Sequence, residues 1–214
     1  MFRTVVQMHE DLDFLIDKVK TPRFTSVELD RALNMAQDRI IQDRYDNIKR
    51  DTGYSFQSLQ RVRDELRTLI TELPYIAVVA NIGGYYTFNL PTDYRHEVLL
   101  QGNIDAKTTT IIPIDYDTFG VAEEDPFGNF NSEYPRHVES GGNEVKVYTG
   151  NGTLFFVALS YIKNPAPISL TSNTNSELPG LLHDELENLA ASILNGTVED
   201  YPKYQLLEKE AKES

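Results

Sequence analysis

The sequence predicts an α+β fold: a helical bundle, made of N-terminal helices plus a returning C-terminal helix, carrying an inserted β-sandwich or barrel-like region. Three observations carry this expectation. Apolar residues recur at three- and four-residue steps up to about position 73 and again after 176. Between them lie short β-rich runs punctuated by Gly, Asn, Asp and Pro. The last of these runs stops at Asn164-Pro165, and Pro167 follows, where missing amide donors and restricted backbones end a sheet. The expected domains are therefore 1–73 with 176–214 for the bundle and 74–175 for the insertion.

Val5, Met8, Leu12, Leu15 and Val19 form the first amphipathic stripe, stopped at Thr21-Pro22. Thr25 and Glu28 have the spacing of a capping box, opening a second helix with Leu29, Leu33, Ala36, Ile40, Arg44 and Ile48 on one side. After a break at Asp51-Thr52-Gly53, Leu59, Val62, Leu66 and Leu69 predict a third helix. The texture changes at Leu73-Pro74. "YIAVVAN", "YYTFNL", "RHEVLL", "TTTIIPI", "EVKVYT" and "TLFFVALSYI" then read as about six strands. Val145 and Val147 alternate with charges, predicting a half-buried strand, whereas Leu154–Ile162 is apolar enough for a central strand covered on both faces. "SLTSNTNSE" reads as a linker to a fourth helix with Leu178, Leu182, Glu185, Leu186, Leu189 and Ile193, closed by Asn195-Gly196. A short helix over 201–212 ends the chain.

The 214 residues suffice for one large domain or a domain with an insertion. With no cysteine, disulfides and thiolate chemistry are excluded. The first twenty residues have no apolar signal core, and no apolar run approaches a membrane span, so a soluble protein without membrane partners is expected. Formal charge is −13, with 12 basic against 13 acidic residues over 1–72, 5 against 11 over 73–175, and 3 against 9 over 176–214. Nucleic-acid affinity depends on cations that release condensed counterions, so a free-standing DNA or RNA binder is not expected. An acidic surface either aids solubility or lets DNA pass without sticking.

Catalytic and metal motifs are weak. His9-Glu10-Asp11 lacks the second histidine of a helical zinc site, and His183-Asp184-Glu185 are neighbours on a helix that point apart. Asp115, Asp117 and Gly120 fit three positions of a calcium loop, but Phe119 and Pro126 occupy two others that need oxygen ligands. An acid–histidine pocket from Asp93, Asp115 or Asp117 with His96 or His137 is the strongest catalytic arrangement available. The expectation is no enzyme, no catalytic residue, no metal and no cofactor.

The turn-rich stretch 116–136 holds Phe119, Phe127, Phe130 and Tyr134. Structureless segments of this length are usually functional. These rings either tuck back onto the sheet or form a candidate partner interface, since exposed aromatics gather at interfaces.

"FNLPTDYRHEVLL", "ALSYIKNP" and "ELPGLLHDELENLAASIL" together resemble the head-to-tail connector proteins of short-tailed bacteriophages, of the adaptor or tail-tubular type, most nearly the ring proteins of crAss-like phages. The matching pieces are Phe88, Leu90, Pro91, Asp93 and Tyr94; Tyr161, Ile162 and Pro165; and Leu178, Pro179, Leu189 and Ala190. They cover most of the chain in order; the aromatic stretch and the acidic tail have no counterpart. The resemblance implies a virion structural protein of the neck, assembled in the host cytoplasm as a ring, commonly of twelve copies. Its partners would be itself, the portal protein and adjacent ring or tail proteins, with DNA crossing the lumen unbound until genome ejection. The alternative is a non-catalytic protein-binding adaptor outside any particle.

Overall fold

The computed structural model describes residues 2–17, 24–50, 63–80, 84–115, 117–120 and 130–196. Val19, the stop at Thr21-Pro22, the break at 51–53, Leu59, Val62, Phe127 and the helix expected over 201–212 lie outside them. The protein is α+β, and the chain divides into two compact units: Met1–Leu69 with Pro165–Ser214, and Ile70–Asn164. The divisions fall at 69/70 and 164/165, not at 73/74 and 175/176. Both differences have local causes, given below.

In the helical unit, α1 spans Val5–Asp17 and α2 spans Ser26–Arg50. Helical residues 183–196 form α3, entered through a 3-10 turn at Gly180–Leu182. The capping box forms at α2: Thr25 N–H donates to Glu28 Oε2 at 2.8 Å, and Glu28 N–H to Thr25 Oγ1 at 3.4 Å. Those backbone and hydroxyl donors hold the Glu28 carboxyl below its ordinary range. Val5, Met8, Leu12 and Ile16 are the buried face of α1, and Leu29, Leu33, Ala36 and Ile40 that of α2. From the 3-10 turn into α3 the buried stripe is Leu182, Leu186, Ala190 and Leu194, while Leu189 is half-buried and Glu185 exposed. The expected third helix is, among described residues, one turn at 63–66 followed by a 3-10 turn, with Leu66 and Leu69 buried. Arg44 joins three pieces: its Nε lies 2.6 Å from the buried Glu65 carboxylate, and its Nη2 lies 2.6 Å from Glu185 on α3.

The segment expected as a linker is sewn onto α2. Asp30, Asn34 and Gln37 recur at four- and three-residue steps, so they share one side of that helix. Asp30 accepts the Leu170 N–H at both carboxylate oxygens, and Asn34 bonds Ile168. The Ser176 hydroxyl donates to Gln37 Oε1 at 2.8 Å. Residues 165–175 therefore belong to the helical unit.

Among the described residues the second unit holds nine strands: β1 Ile70–Ala77, β2 Val79–Ala80, β3 Tyr86–Asn89, β4 Tyr94–Ile104, β5 Lys107–Thr110, β6 Ile112–Pro113, β7 Arg136–Glu139, β8 Glu144–Tyr148 and β9 Leu154–Lys163. They form two sheets, ordered β1-β9-β4-β5 and β2-β3-β8-β7-β6. The chain passes from one sheet to the other at both edges, between β1 and β2 and between β5 and β6, yet the sheets do not close into a barrel. Leu100, Ile104, Leu154, Val157, Leu159 and Tyr161 from the first sheet share a core with Phe88, Val145 and Val147 from the second.

Strand β1 starts at Ile70, four residues before the expected boundary, because Pro74 does not end it. Proline is tolerated on an edge strand, and the register with β9 shifts between Leu73 and Ile76 to pass it. Strand β9 is central, but only one of its faces is fully buried; Phe155 sits at a register shift and is 56% exposed. β8 alternates as expected, with Val145 and Val147 inward. β7 has no counterpart among the expected strands.

Candidate functional site

Two of the three segments that carry the resemblance meet at one place in the β unit. Pro91 accepts the Tyr94 N–H at 3.1 Å, turning the chain after β3 so that Asp93 faces the end of β9. The buried Tyr161 hydroxyl donates to Asp93 Oδ1 at 2.9 Å, and the Asn164 N–H donates to the Asp93 carbonyl at 2.6 Å. Burial first, then the Asp93 carboxylate, pushes the Tyr161 phenol up to about 12. The Tyr94 ring lies 5.9 Å from that of Tyr161. Phe88 is in the sandwich core, with Leu90 packed against it. Ile162 is buried and Pro165 half-buried. In the helical unit Leu178 and Ala190 are buried, and Pro179 precedes the 3-10 turn into α3.

Beside this tie, two pairs bridge the sheets between β4 and β7. Tyr94 donates its hydroxyl proton to Glu139 Oε1 at 2.9 Å, and His137 Nε2 lies 2.9 Å from Glu97 Oε2. His137 is buried, whereas Glu97 keeps partial access to solvent. Of the acids and histidines weighed from sequence for a catalytic pocket, His137 meets Glu97 instead. Asp93 serves Tyr161, and the Asp115 carbonyl accepts the Thr118 and Phe119 N–H groups at the start of a helical turn over 117–120. Among the described residues no group of three or more His, Asp or Glu side chains could hold a metal ion.

Part of the aromatic stretch folds back. Phe119 stacks on Phe130 at 5.2 Å, and both rings pack on Tyr148, at 4.7 and 5.5 Å. Tyr148 lies on β8 with its side chain opposite to Val147, so this triad covers the outer face of its sheet. Tyr85 extends the row at 5.6 Å from Tyr148, with Lys146 Nζ 5.4 Å from its ring centre. Tyr134 is different: Asn131 Oδ1 accepts its N–H and that of Glu133, and the ring is 61% exposed. Phe119 and Phe130 are thus used internally, while Tyr134 stays exposed.

Comparison with protein-family models matches no family, and comparison with curated proteins gives no match. Other large apolar side chains are also exposed: Tyr75, which contacts Phe156 at 5.1 Å between ring centres, with Phe155 and Val79 in the β unit, and Phe14 and Val27 in the helical unit. No helix among the described residues is long and apolar enough to cross a membrane.

Sequence reading missed Tyr148, Tyr85, Glu97 and Glu139. Tyr148 carried a usable signal, being the outward position of an alternating strand filled by a large aromatic ring. The two inter-sheet pairs carried none, because they depend on which strands face each other.

Proposed function

We propose that this chain is a structural protein of a bacteriophage neck, forming a ring between portal and tail that extends the DNA channel and docks neighbouring rings or tail proteins. The supporting observation is the Asp93 tie: the "FNLPTDY" and "SYIKNP" segments, on which the resemblance rests, converge on one hydrogen-bonded junction. Three further features agree with it. A helical unit drawn from both chain ends and a β unit from the middle is the build that the resemblance implies. Exposed Tyr75, Tyr134, Phe155 and Phe14 offer anchors for protein contacts on both units, as a subunit held by several neighbours requires. Net acidity suits a channel wall that must not trap phosphates.

Electron microscopy of the purified protein and of particle necks tests this reading. Rings in the purified sample, or density for this chain in the neck, are the expected results. A particle whose neck lacks the chain would overturn it.

A further inference from the structure

In the segment of residues 2–4, the Arg3 backbone is fastened to α3 by a hydrogen bond that only a neutral His183 can accept. The Arg3 N–H donates to His183 Nδ1 at 3.0 Å, and His183 Nε2 lies 3.0 Å from the Leu178 carbonyl. A carbonyl can only accept, so Nε2 carries the proton and Nδ1 presents its lone pair. The ring is fully buried, with the Phe2 ring packed 5.3 Å away. The Arg3 guanidinium faces the carboxylates of Glu187 and Asp184 on α3 and of Asp11 on α1. Glu187 is buried, and its Oε1 has no hydrogen-bond partner.

We propose that His183 is an acid-sensitive latch on this segment. Protonation of Nδ1 replaces an acceptor with a donor facing the Arg3 N–H, and the segment leaves α3. The bond that forms is Nδ1–H; the one that breaks is the hydrogen bond from Arg3. Burial, with nearby positive charge including Arg3 as a lesser cause, outweighs the Leu178 hydrogen bond and the Asp184 charge and holds the imidazole below its ordinary value. A base that binds its proton more weakly in the docked state favours that state at neutral pH. Docking is then lost as pH falls below about 6.5. Glu187 works the other way. Burial pushes its carboxyl up, so acid alone favours the docked form at that group. This device is independent of the neck reading.

Hydrogen exchange of the Arg3 and Val5 amides, followed by NMR on the full chain and corrected for intrinsic rates, tests it. Protection should fall about tenfold between about pH 7 and about pH 5, since one linked proton permits up to tenfold per unit. His183→Gln should make the exchange insensitive to pH over that range. Glu187→Gln, uncharged at every pH, removes the opposing proton uptake, so its protection should fall more steeply over that range. The imidazole nitrogen shifts of the wild-type protein give a readout independent of any variant. They should show the Nε2–H tautomer at neutral pH and ring protonation together with loss of Arg3 amide protection. Constant protection from pH 7 to pH 5, an equal fall in His183→Gln, or ring protonation without release would overturn the proposal.

Discussion

The Asn34 carboxamide holds the Ile168 peptide in both directions, donating from Nδ2 to the carbonyl at 2.9 Å and accepting the N–H at Oδ1 at 2.8 Å. The side chain of a helix thus does for residue 168 what a neighbouring strand would do. Ile168 itself is buried, so its peptide groups have no ready water to turn to. Asn34→Ala should cost about 2–3 kcal/mol, because two backbone groups lose their partners at once. Asn34→Asp keeps the acceptor but places a carboxylate against the Ile168 carbonyl, and should cost at least as much. Denaturant unfolding of both variants measures it; a change below about 0.5 kcal/mol in Asn34→Ala would refute the account.

Arg44 neutralises Glu65, which is almost inaccessible to solvent. Removing only the cation takes the opposite charge away from a buried carboxylate, so Arg44→Ala should destabilise by about 3 kcal/mol. Arg44→Met with Glu65→Leu should recover most of that loss. Melting curves of the single and double variants decide whether charge or packing matters here.

The β4–β5 hairpin turns through Asp105 and Ala106, both at positive φ, 48° and 65°. A two-residue turn of this kind favours glycine, and alanine pays steric strain in that region. Asp105 contributes through Oδ1, which accepts the Thr153 N–H at 3.0 Å. Ala106→Gly should therefore stabilise the protein by about 0.5–1 kcal/mol. Asp105→Gly should gain less or lose, since it gives up that contact.

Gly150 has φ +60°, and a Cβ there would collide with the Phe130 carbonyl oxygen. Gly152 is equally confined, its Cβ position lying 2.7 Å from Ile104 Cγ2 and 2.8 Å from Ser132 Cβ. Gly150→Ala should lift the segment beginning at Phe130 off Tyr148. Loss of near-ultraviolet aromatic dichroism with far-ultraviolet signal retained is the expected result; unchanged aromatic dichroism would count against the packing described.

Tyr161 and Asp93 predict a stability loss in alkali. The phenol is raised in the folded protein, so its contribution is complete below about pH 10 and is lost as pH rises through about 12. Tyr161→Phe should be less stable by about 1–2 kcal/mol at neutral pH, yet show a shallower decline across that window. Unfolding free energies at stepped pH compare the two.

Periodicity was sufficient for α1, α2 and the alternating strand β8, where one side of an element is apolar and the other charged. It misjudged β9, whose near-continuous apolar run suggested two covered faces; Phe155 at a register shift accounts for part of that run. Pro74 looked like a boundary because its tolerance on an edge strand depends on sheet order, which no local pattern records. β7 was hidden because Arg136-His137-Val138-Glu139 shows no simple alternation: His137 and Val138 are both buried, one toward Glu97 on the opposite sheet. The polar "SLTSNTNSE" read as a linker because its partners, Asp30 and Gln37, lie more than 130 residues away. At the aromatic stretch, composition left open whether Phe119 and Phe130 tuck back or meet a partner, because Tyr148, on which they pack, comes from another strand.

Ile70, the first residue of the β unit, pairs with Ile162, almost the last, across antiparallel β1 and β9. The two ends of the insert are thus zipped side by side, with paired Cα atoms roughly 5 Å apart. A graft of residues 70–164 into an unrelated loop would ask almost no stretching of its new host. Excision from this chain would leave a gap that two or three residues can close. Modules with such adjoining ends can be gained, lost or exchanged whole, leaving each side free to diversify at its own pace.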